Sequence, residues 1–588
     1  MKQSKKAKEQ YLPLFTADSI MTKLDDALHR DLSRSNLLEY GPIQPHRQLY
    51  ADSQLANFTK KFVSQSVRSK SNLSALTFEK FERINQHMER FRFNLPLPNE
   101  VDVRPKDRTY RDKVLLRARS LVHMVMLPFM EEEFFNACKH SGGSSIGVPF
   151  VDTSIEAKCF YPMTVTKGVE TWFERYLDFD TTMKSAIQEL NSKKPNKARY
   201  QIVSGSRGTT VPKTNKIDRM IAVEPTGNMF FQQGLMEMMY DRLQYVGLDV
   251  TTLPDTHKKL AQRGSVHGNL ATIDFSSASD CVSPALLKWL LPGQWYHWLD
   301  KFRSPTIEVD GKVLELNMFS TMGNATTFPL ETLVFWSIAT AVCSANRDTT
   351  FSGLVRQEHK SLCSVFGDDC ILPTSDAYAF ICVCESVGFV VNTDKSYFDQ
   401  QACTFRESCG GDYHSGFDVR SVYLSAPTSD RKSSLEPWLY NILNQLLEKH
   451  KSCFGVGEPV VFATTIREIL SILFQMNIYA KLVPGDFPED SGIHGDDFLE
   501  WLYCHFKGSW SPLAESVHGS ITFRYCRYQY KTKSRMNLHL RYSLKLKCFV
   551  FDRRKRQDMF KPIRKKGGYV VSKAVTAHWT VPLQVAKS

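Results

Sequence analysis

The sequence predicts an α+β fold in which an antiparallel sheet is flanked by helices. Three observations carry this expectation. "SLCSVFGDDCILP" (Ser361 to Pro373) sets two apolar runs of strand length around a tight Gly-Asp turn, the pattern of a hairpin. The whole stretch from Asn269 to about Gly416 is apolar and strand-rich. On either side, "RDKVLLRARSLVHMVMLPFMEEEFF" (Arg111 to Phe135) and the segments after Pro427 carry apolar residues at helical spacing.

Size and charge set the frame. At 588 residues and 42% hydrophobic, the chain can bury a large core and divides into roughly 3–5 domain-sized units. Lys and Arg number 75 against 62 acids, a net charge of +13 that favours a polyanionic partner, nucleic acid ahead of a membrane surface. A basic protein with no such partner fits the charge equally well. The opening "MKQSKKAKEQ" lacks the apolar run of a signal peptide. Leu333 to Ala345, the longest apolar stretch, is too short to span a bilayer, so no membrane partner is expected. Fourteen cysteines lie scattered without framework spacing, as in reduced cytosolic proteins. Cys382 and Cys384, one residue apart in a predicted helix, read as packing rather than zinc ligands.

Along the chain, residues 1–100 are mixed and polar and end in the Pro-broken "RFNLPLPNE" (Arg92 to Glu100). Helical periodicity follows, closed by the loop "HSGGSSIGVPF" (His140 to Phe150), and a basic segment runs from Lys193 to Arg219. "NLATIDFSSASD" (Asn269 to Asp280) reads as a buried strand ending at Asp274, then a turn, then a helix from about Pro284. "STMGNATTFPLETLVFWSIATAV" (Ser320 to Val342) is a polar loop containing Gly323 and Asn324 that feeds an apolar helix, a form suited to holding a base or ribose. "SVGFVVNTDKSYF" (Ser386 to Phe398) ends a helix at Gly388, runs a strand and presents Lys395 in a turn. "FRESCGGDYHSGFDV" (Phe405 to Val419) reads as a hairpin carrying Arg406 and Glu407.

The chemistry concentrates in the acids. Asp368 and Asp369 sit side by side at the tip of a buried hairpin, and Asp274 ends another buried strand. Adjacent carboxylates beside an apolar sheet repel and resist desolvation, so ionising them is costly unless a cation sits between them. Mg²⁺ accepts such oxygen ligands and keeps positions for water and phosphate. Three such carboxylates make a site for two ions about 3.5–4 Å apart, the arrangement that serves nucleotidyl transfer. Each motif alone is equally readable as a turn with a capping aspartate. A second Gly-Asp-Asp triplet, in "HGDDFLE" (His494 to Glu500), leads into "FLEWLYCHF" at helical spacing, so Asp496 and Asp497 are expected to cap a helix and hold no metal.

At this ordered set the chain resembles the catalytic beta subunit of RNA-bacteriophage replicases, the Qbeta-like RNA-directed RNA polymerases of leviviruses. The resemblance runs through "CKHSGG" (Cys138 to Gly143), "VPKTNKIDRMIAVEPTGNMFFQQGL" (Val211 to Leu235), "ATIDFSSASD", "TMGNATTF", "FGDDCILP" and "FRESCGGDYHSGFDV", about the middle half of the chain. It implies a right-hand polymerase: fingers over residues 101–268, palm with part of the fingers over 269–425, thumb and a basic carboxy-terminal region over 426–588. Residues 1–100 would form an extension packing on fingers and thumb. It also implies RNA synthesis from nucleoside triphosphates on a template RNA, in the cytoplasm of an infected bacterium. Asp274 and Asp368 would be the principal ligands of two Mg²⁺ ions, with Asp369 completing the site and Mn²⁺ able to substitute.

Arg207, Lys213, Lys216 and Arg219 lie where the family's basic fingers motif does and would contact the triphosphate. For Lys213 and Lys216 a solvated basic loop reads as well. Asp280 would recognise the ribose 2′-hydroxyl, directly or through Asn324, or else cap the following helix. Lys395 resembles the residue that protonates leaving pyrophosphate, although Ser396 follows it where a second lysine is usual, and a surface lysine is the competing reading. Arg406 and Glu407 would contact the primer or product strand. Host elongation factors Tu and Ts and the largest protein of the small ribosomal subunit are the implied partners.

"FRYCRYQYKTKSRMNLHLRYSLKLK" (Phe523 to Lys547) interleaves cations with aromatics, as single-stranded RNA binding does and as an amphipathic strand does too. "RRKRQDMFKPIRKK" (Arg553 to Lys566) reads as a solvated basic tail. A reverse transcriptase would share the acids, but Asp280 and the Gly367 that precedes the acid pair argue against that class. A non-catalytic RNA-binding protein would need no buried acids.

Overall fold

A computed structural model describes residues 15–39, 42–63, 72–91, 94–96, 109–149, 153, 158, 161–192, 199–346, 363–398, 404–455 and 460–494, together with strands within 514–576. The second Gly-Asp-Asp triplet and most of the carboxy-terminal basic stretch lie outside the described residues.

A three-stranded antiparallel sheet is central, with Asp369–Pro373 between Leu270–Ile273 and Ser364–Phe366. Its apolar strands lie on the helix Thr327–Ala345, of which all but Phe328 and Ala345 are buried. Phe275 stacks on Phe335 at 4.4 Å, and Phe389 packs on Phe335 at 4.5 Å, which joins strand end, helix and the loop after Gly388 in one aromatic cluster. That helix reaches six residues further back than the apolar run Leu333 to Ala345. It is long and apolar enough to cross a membrane, yet 89% of its apolar window is inside the protein, so here it serves as a core helix.

Two readings of local structure are corrected. The segment after Gly388 forms isolated bridges, Phe275 with Val391 and Thr272 with Tyr397, rather than a continuous strand. Cys382 is exposed while Cys384 is buried, because residues two apart on a helix face different sides.

The hairpin of Phe405–Ser408 and Gly411–His414, extended by Phe417–Asp418, packs against the helix Leu253–His267. His257 of that helix is fully buried and joins the two sheets. Its Nδ1 bonds the Ser408 hydroxyl and its Nε2 the Ser364 hydroxyl, each at 2.9 Å. Burial pushes its pKa down to about 4, so the bridge is made by a neutral ring.

A four-stranded sheet runs in the order Asp218–Val223, Ser206–Pro212, Thr306–Val309, Lys312–Glu315. The helix Leu73–Arg90 covers it through Phe81, against Met220, Ile307 and Met318. The helices Ala17–Asp31 and Pro45–Asn57 go elsewhere. They share a core with the helices Lys432–Phe454 and Ala463–Gln475 and with Phe523 and Cys526 of the strand Ser520–Lys533. The described pieces of the first hundred residues therefore pack on three cores, since Met88 of the helix Leu73–Arg90 also enters the main core of the central sheet and its helices.

Candidate active site

Register places the acids. Ile273 pairs with Cys370 and Phe366 with Asp369, so one residue further along the antiparallel ladder Asp274 comes opposite Asp369. Gly367 opens the two-residue turn at φ +62°, a conformation that suits glycine, and a Cβ there would lie 2.7 Å from the Phe328 ring. The Gly367 N–H donates to Thr332 Oγ1 at 3.0 Å, which pins the turn to the buried helix. Asp368 thereby sits at the tip of the turn, beside Asp369.

All three acids line a cleft of about 440 Å³, shared with Asp280, Lys80, Lys213, Arg219, Lys395 and Glu407. Burial raises the Asp274 pKa to about 6, against the opposing pull of Lys395. Burial and the charges of Asp368 and Asp274 push Asp369 up to about 7. Asp368 is raised by burial, with Lys395, Lys213 and Arg219 pulling the other way. Such mutual repulsion is what a bound cation would relieve. No three acid, histidine or cysteine side chains among the described residues form a ready-made metal cage. The donor set is nevertheless hard, all carboxylate oxygen facing a cleft, and suits a cation that keeps water and phosphate among its ligands.

Lys395 Nζ lies 3.4 Å from Asp274 Oδ2 and 3.0 Å from Glu407 Oε1. Burial works against its charge, but Glu407 and Asp274 together hold its pKa above the ordinary value. The side chain is half exposed at the cleft, yet tied to both acids. Asn392 Nδ2 donates to Asp274 Oδ2 at 3.3 Å, and the Cys409 N–H donates to Asp369 Oδ2 at 3.3 Å.

The other predicted residues divide. Lys213 and Arg219 reach the cleft, whereas Arg207 and Lys216 are exposed and do not line it. Desolvation and the charges of Arg219 and Lys80 lower the Lys213 pKa, the mark of a crowded cation cluster facing the acids. Asp280 sits in the cleft, pushed up to about 7 by burial against the pull of Lys80. The helix after it is capped by Ser283, whose hydroxyl accepts from Ala285 N, so Asp280 is not the cap.

Asn324 is turned away from the cleft, because its Oδ1 accepts from the Thr326 N–H and hydroxyl and its side chain bonds Glu224. Gly323, at φ +117°, lets the loop close on the sheet; a Cβ would lie 2.1 Å from Ala222 O. Arg406 is fully buried, donating to the carbonyls of Leu270 and Phe405, and so cannot touch a strand in the cleft. Glu407, on the opposite face of the same strand, does line it.

Three residues escaped the sequence reading. Lys80 comes from the helix Leu73–Arg90 in the otherwise unremarked amino-terminal region. Its only signal is an amphipathic period that sets Thr77, Lys80 and Phe81 on one side. Glu331 is 5% exposed, and its pKa lies well above the usual carboxylate range through burial and the charges of Asp368 and Asp280. A lone acid inside "FPLETLVFW" was a legible sign. Glu224 is 3% exposed and accepts from Ser304, Gln232 and Asn324, with burial pushing it up to about 7.

Comparison with known proteins places the chain in a family. The chain is 35% identical over 393 residues to the RNA-directed RNA polymerase beta chain of Enterobacteria phage fr, covering 66% of each. It is 38% identical over 233 residues to the corresponding chain of Escherichia phage MS2, covering 39% of this chain and 40% of that one. With the polymerase subunit beta of Escherichia virus Qbeta it shares 41% identity over 220 residues, 37% of this chain and 35% of that one. The matched part thus spans between about a third and two thirds of these relatives. A solved RNA-dependent RNA polymerase, the insertion-loop deletion mutant from a human picorbirnavirus, aligns over 79% of this chain and 89% of its own at 13% identity and a TM-score of 0.39, a likeness that adds nothing to the assignment. Residues 16–479 match the family described as RNA replicase, beta-chain, and the protein belongs to that family.

Proposed function

We propose that this chain is the RNA-directed RNA polymerase subunit of a phage replicase, extending RNA from nucleoside triphosphates on an RNA template. The observation that carries the reading is the convergence of Asp274, Asp368 and Asp369 on one cleft that Lys80, Lys213 and Arg219 also line. Acids and cations gathered in one cleft match a reaction that depends on positioning and charge neutralisation.

Asp274 and Asp368 would hold divalent ions, Mg²⁺ or Mn²⁺, with Asp369 beside them. Such ions, when bound, supply charge neutralisation at the attacking hydroxyl and at the departing pyrophosphate. Lys213 and Arg219 take the triphosphate oxygens. Asp280 accepts the ribose 2′-hydroxyl, and Lys80 balances its charge. Lys395 carries its proton at Nζ between Asp274 and Glu407. From that position Lys395 would be the proton donor to the leaving pyrophosphate.

In this reading the palm covers residues 269–425, the fingers 101–268, and the thumb and basic region 426–588, with 1–100 packing on both sides. RNA and nucleotides are the substrates. Elongation factors Tu and Ts and the largest small-subunit ribosomal protein are the host partners, in the cytoplasm of the infected bacterium.

The test is primer-free synthesis on a cognate RNA with these factors and Mg²⁺. Asp368→Asn is expected to eliminate synthesis, while the double change Asp496→Asn, Asp497→Asn leaves it nearly intact. An active first variant beside a dead second one would move the catalytic centre to the other triplet.

A further inference from the structure

A second cavity, of about 610 Å³, lies at the opposite end of the hairpin from Cys409 and Gly410, which line the catalytic cleft. Its walls include His46 and Arg47 from the first turn of the helix Pro45–Asn57, and His414 and Phe417 from the hairpin. No Asp or Glu lines it among the described residues.

Ser452 and Cys453 on these walls are hydrogen-bonded, whereas three other side chains present polar atoms that have no partner among the described residues. His46 is 9% exposed and stacks on Phe417, ring centroids 3.8 Å apart and planes 7° from parallel, and its ring nitrogens make no hydrogen bond among the described residues. The Arg47 guanidinium lies over the Phe454 ring at 5.3 Å, and among the described residues no carboxylate pairs with it and its buried Nε has no acceptor. His414 Nε2 bonds the Thr404 hydroxyl at 2.8 Å, but its Nδ1 is buried and unpartnered. The helix that begins here has no side-chain cap at Gln44. A buried donor left unmade is costly, and a buried cation more so. An Arg, two histidines and an uncapped helix start around a cavity with no acid among its described lining residues are the donor set that an anion would satisfy.

The hairpin indicates which anion. Residues paired across antiparallel strands share a face, as do residues two apart along one strand. Glu407 pairs with Asp412 and Phe405 with His414, so Glu407 in the cleft and His414 in the cavity lie on the same face, about 7 Å apart along it. Phe417, 45% exposed, adds an aromatic surface of the kind single-stranded bases stack on. We infer that this cavity takes a phosphodiester of single-stranded RNA, with Arg47 and His46 on the phosphate oxygens and Phe417 against a base.

The choice of RNA rests on the polymerase reading, so the test reads binding alone. The full chain is titrated into a fluorescein-labelled twelve-nucleotide single-stranded RNA, with EDTA and no nucleotide, across a range of NaCl concentrations. Arg47→Ala is expected to weaken binding about 5-fold or more and to lower the slope of log affinity against log salt by about 0.7, one phosphate contact on a single strand. Arg47→Lys, which keeps the charge, should restore the slope. Phe417→Ala should weaken binding about 5-fold or more with the slope unchanged. Equal affinity and slope for wild type and Arg47→Ala would overturn the inference. So would a rise in melting temperature with inorganic phosphate, lost in Arg47→Ala while RNA binding is unchanged, since the cavity would then be a free-anion site. A chain that fails to polymerise but shows the Arg47 effect would refute the function proposed above and leave this cavity standing.

Discussion

Asp274→Asn separates catalytic need from structural cost. Asp274 has a pKa of about 6 in the fold against 3.8 in the unfolded chain. Because the folded value is raised, stability present below pH 3.8 is lost as pH rises through about 6. At pH 8 the loss is complete and amounts to about 3 kcal/mol, with the attraction of Lys395 already included. Asn keeps the shape and an acceptor for Asn392 but carries no charge. In EDTA at pH 8 the variant should therefore be more stable than wild type by about 1–3 kcal/mol, a rise of roughly 1–4 °C in apparent melting temperature. The gain should shrink toward zero near pH 4, where the wild-type carboxyl is itself protonated. Adding Mg²⁺ should raise the melting temperature of wild type and much less that of the variant, and nucleotide incorporation by the variant should be absent. Thermal melts at two pH values with and without Mg²⁺, beside an incorporation assay, read all of this. A variant less stable than wild type in EDTA, or one that polymerises at near-wild-type rate, would refute the reasoning.

Three other residues give sharp expectations. Asp280→Ala should relax discrimination between ribo- and deoxyribonucleotides by roughly 10–150-fold, the worth of one buried hydrogen bond to a charged group, measured as the ratio of incorporation efficiencies. Asn324→Ala should leave that ratio near wild type and lower stability instead, and the reverse pattern would restore ribose recognition to Asn324. Glu224, with a pKa of about 7 against 4.5, loses stability as pH rises from 4.5 through 7, up to about 3 kcal/mol. Glu224→Gln removes that loss, so denaturant unfolding at pH 5 and pH 8 should show the variant gaining on wild type at the higher pH; a constant difference would place the Glu224 pKa in the ordinary range.

What could be read in advance follows from how local the signal is. Asp274, Asp368 and Asp369 were legible because each ends an apolar run of strand length, and a carboxylate there has few structural reasons to exist. The helix over Thr327–Ala345 and the two hairpins were legible for the same reason, since pattern and turn chemistry agree. Arg406 was misplaced because alternation alone does not say which face of a hairpin is covered: Arg406 and Ser408 turn inward while Glu407 faces the cleft. Asn324 was misplaced because a polar loop can satisfy itself, here through Thr326 and Glu224. Lys80 was invisible because its position depends on a helix far from the acids in sequence docking beside them, a matter of tertiary packing.

The bond between Asp31 and the start of the helix Ala463–Gln475 has a consequence for biosynthesis. Asp31 accepts from the backbone of Thr464 and Thr465, partners 433 and 434 residues further along. At roughly 5–20 residues per second, the ribosome needs about 20–90 s to supply that partner after Asp31 emerges. Until then Ile20, Leu24 and Leu28, fully buried in the finished protein, have only part of their core, the side chains of the neighbouring helices such as Leu37 and Tyr50. The nascent chain thus carries part of an apolar face unpaired for more than four hundred residues of synthesis, and its yield in a cell depends on how well that face is shielded until the partner helix has been made.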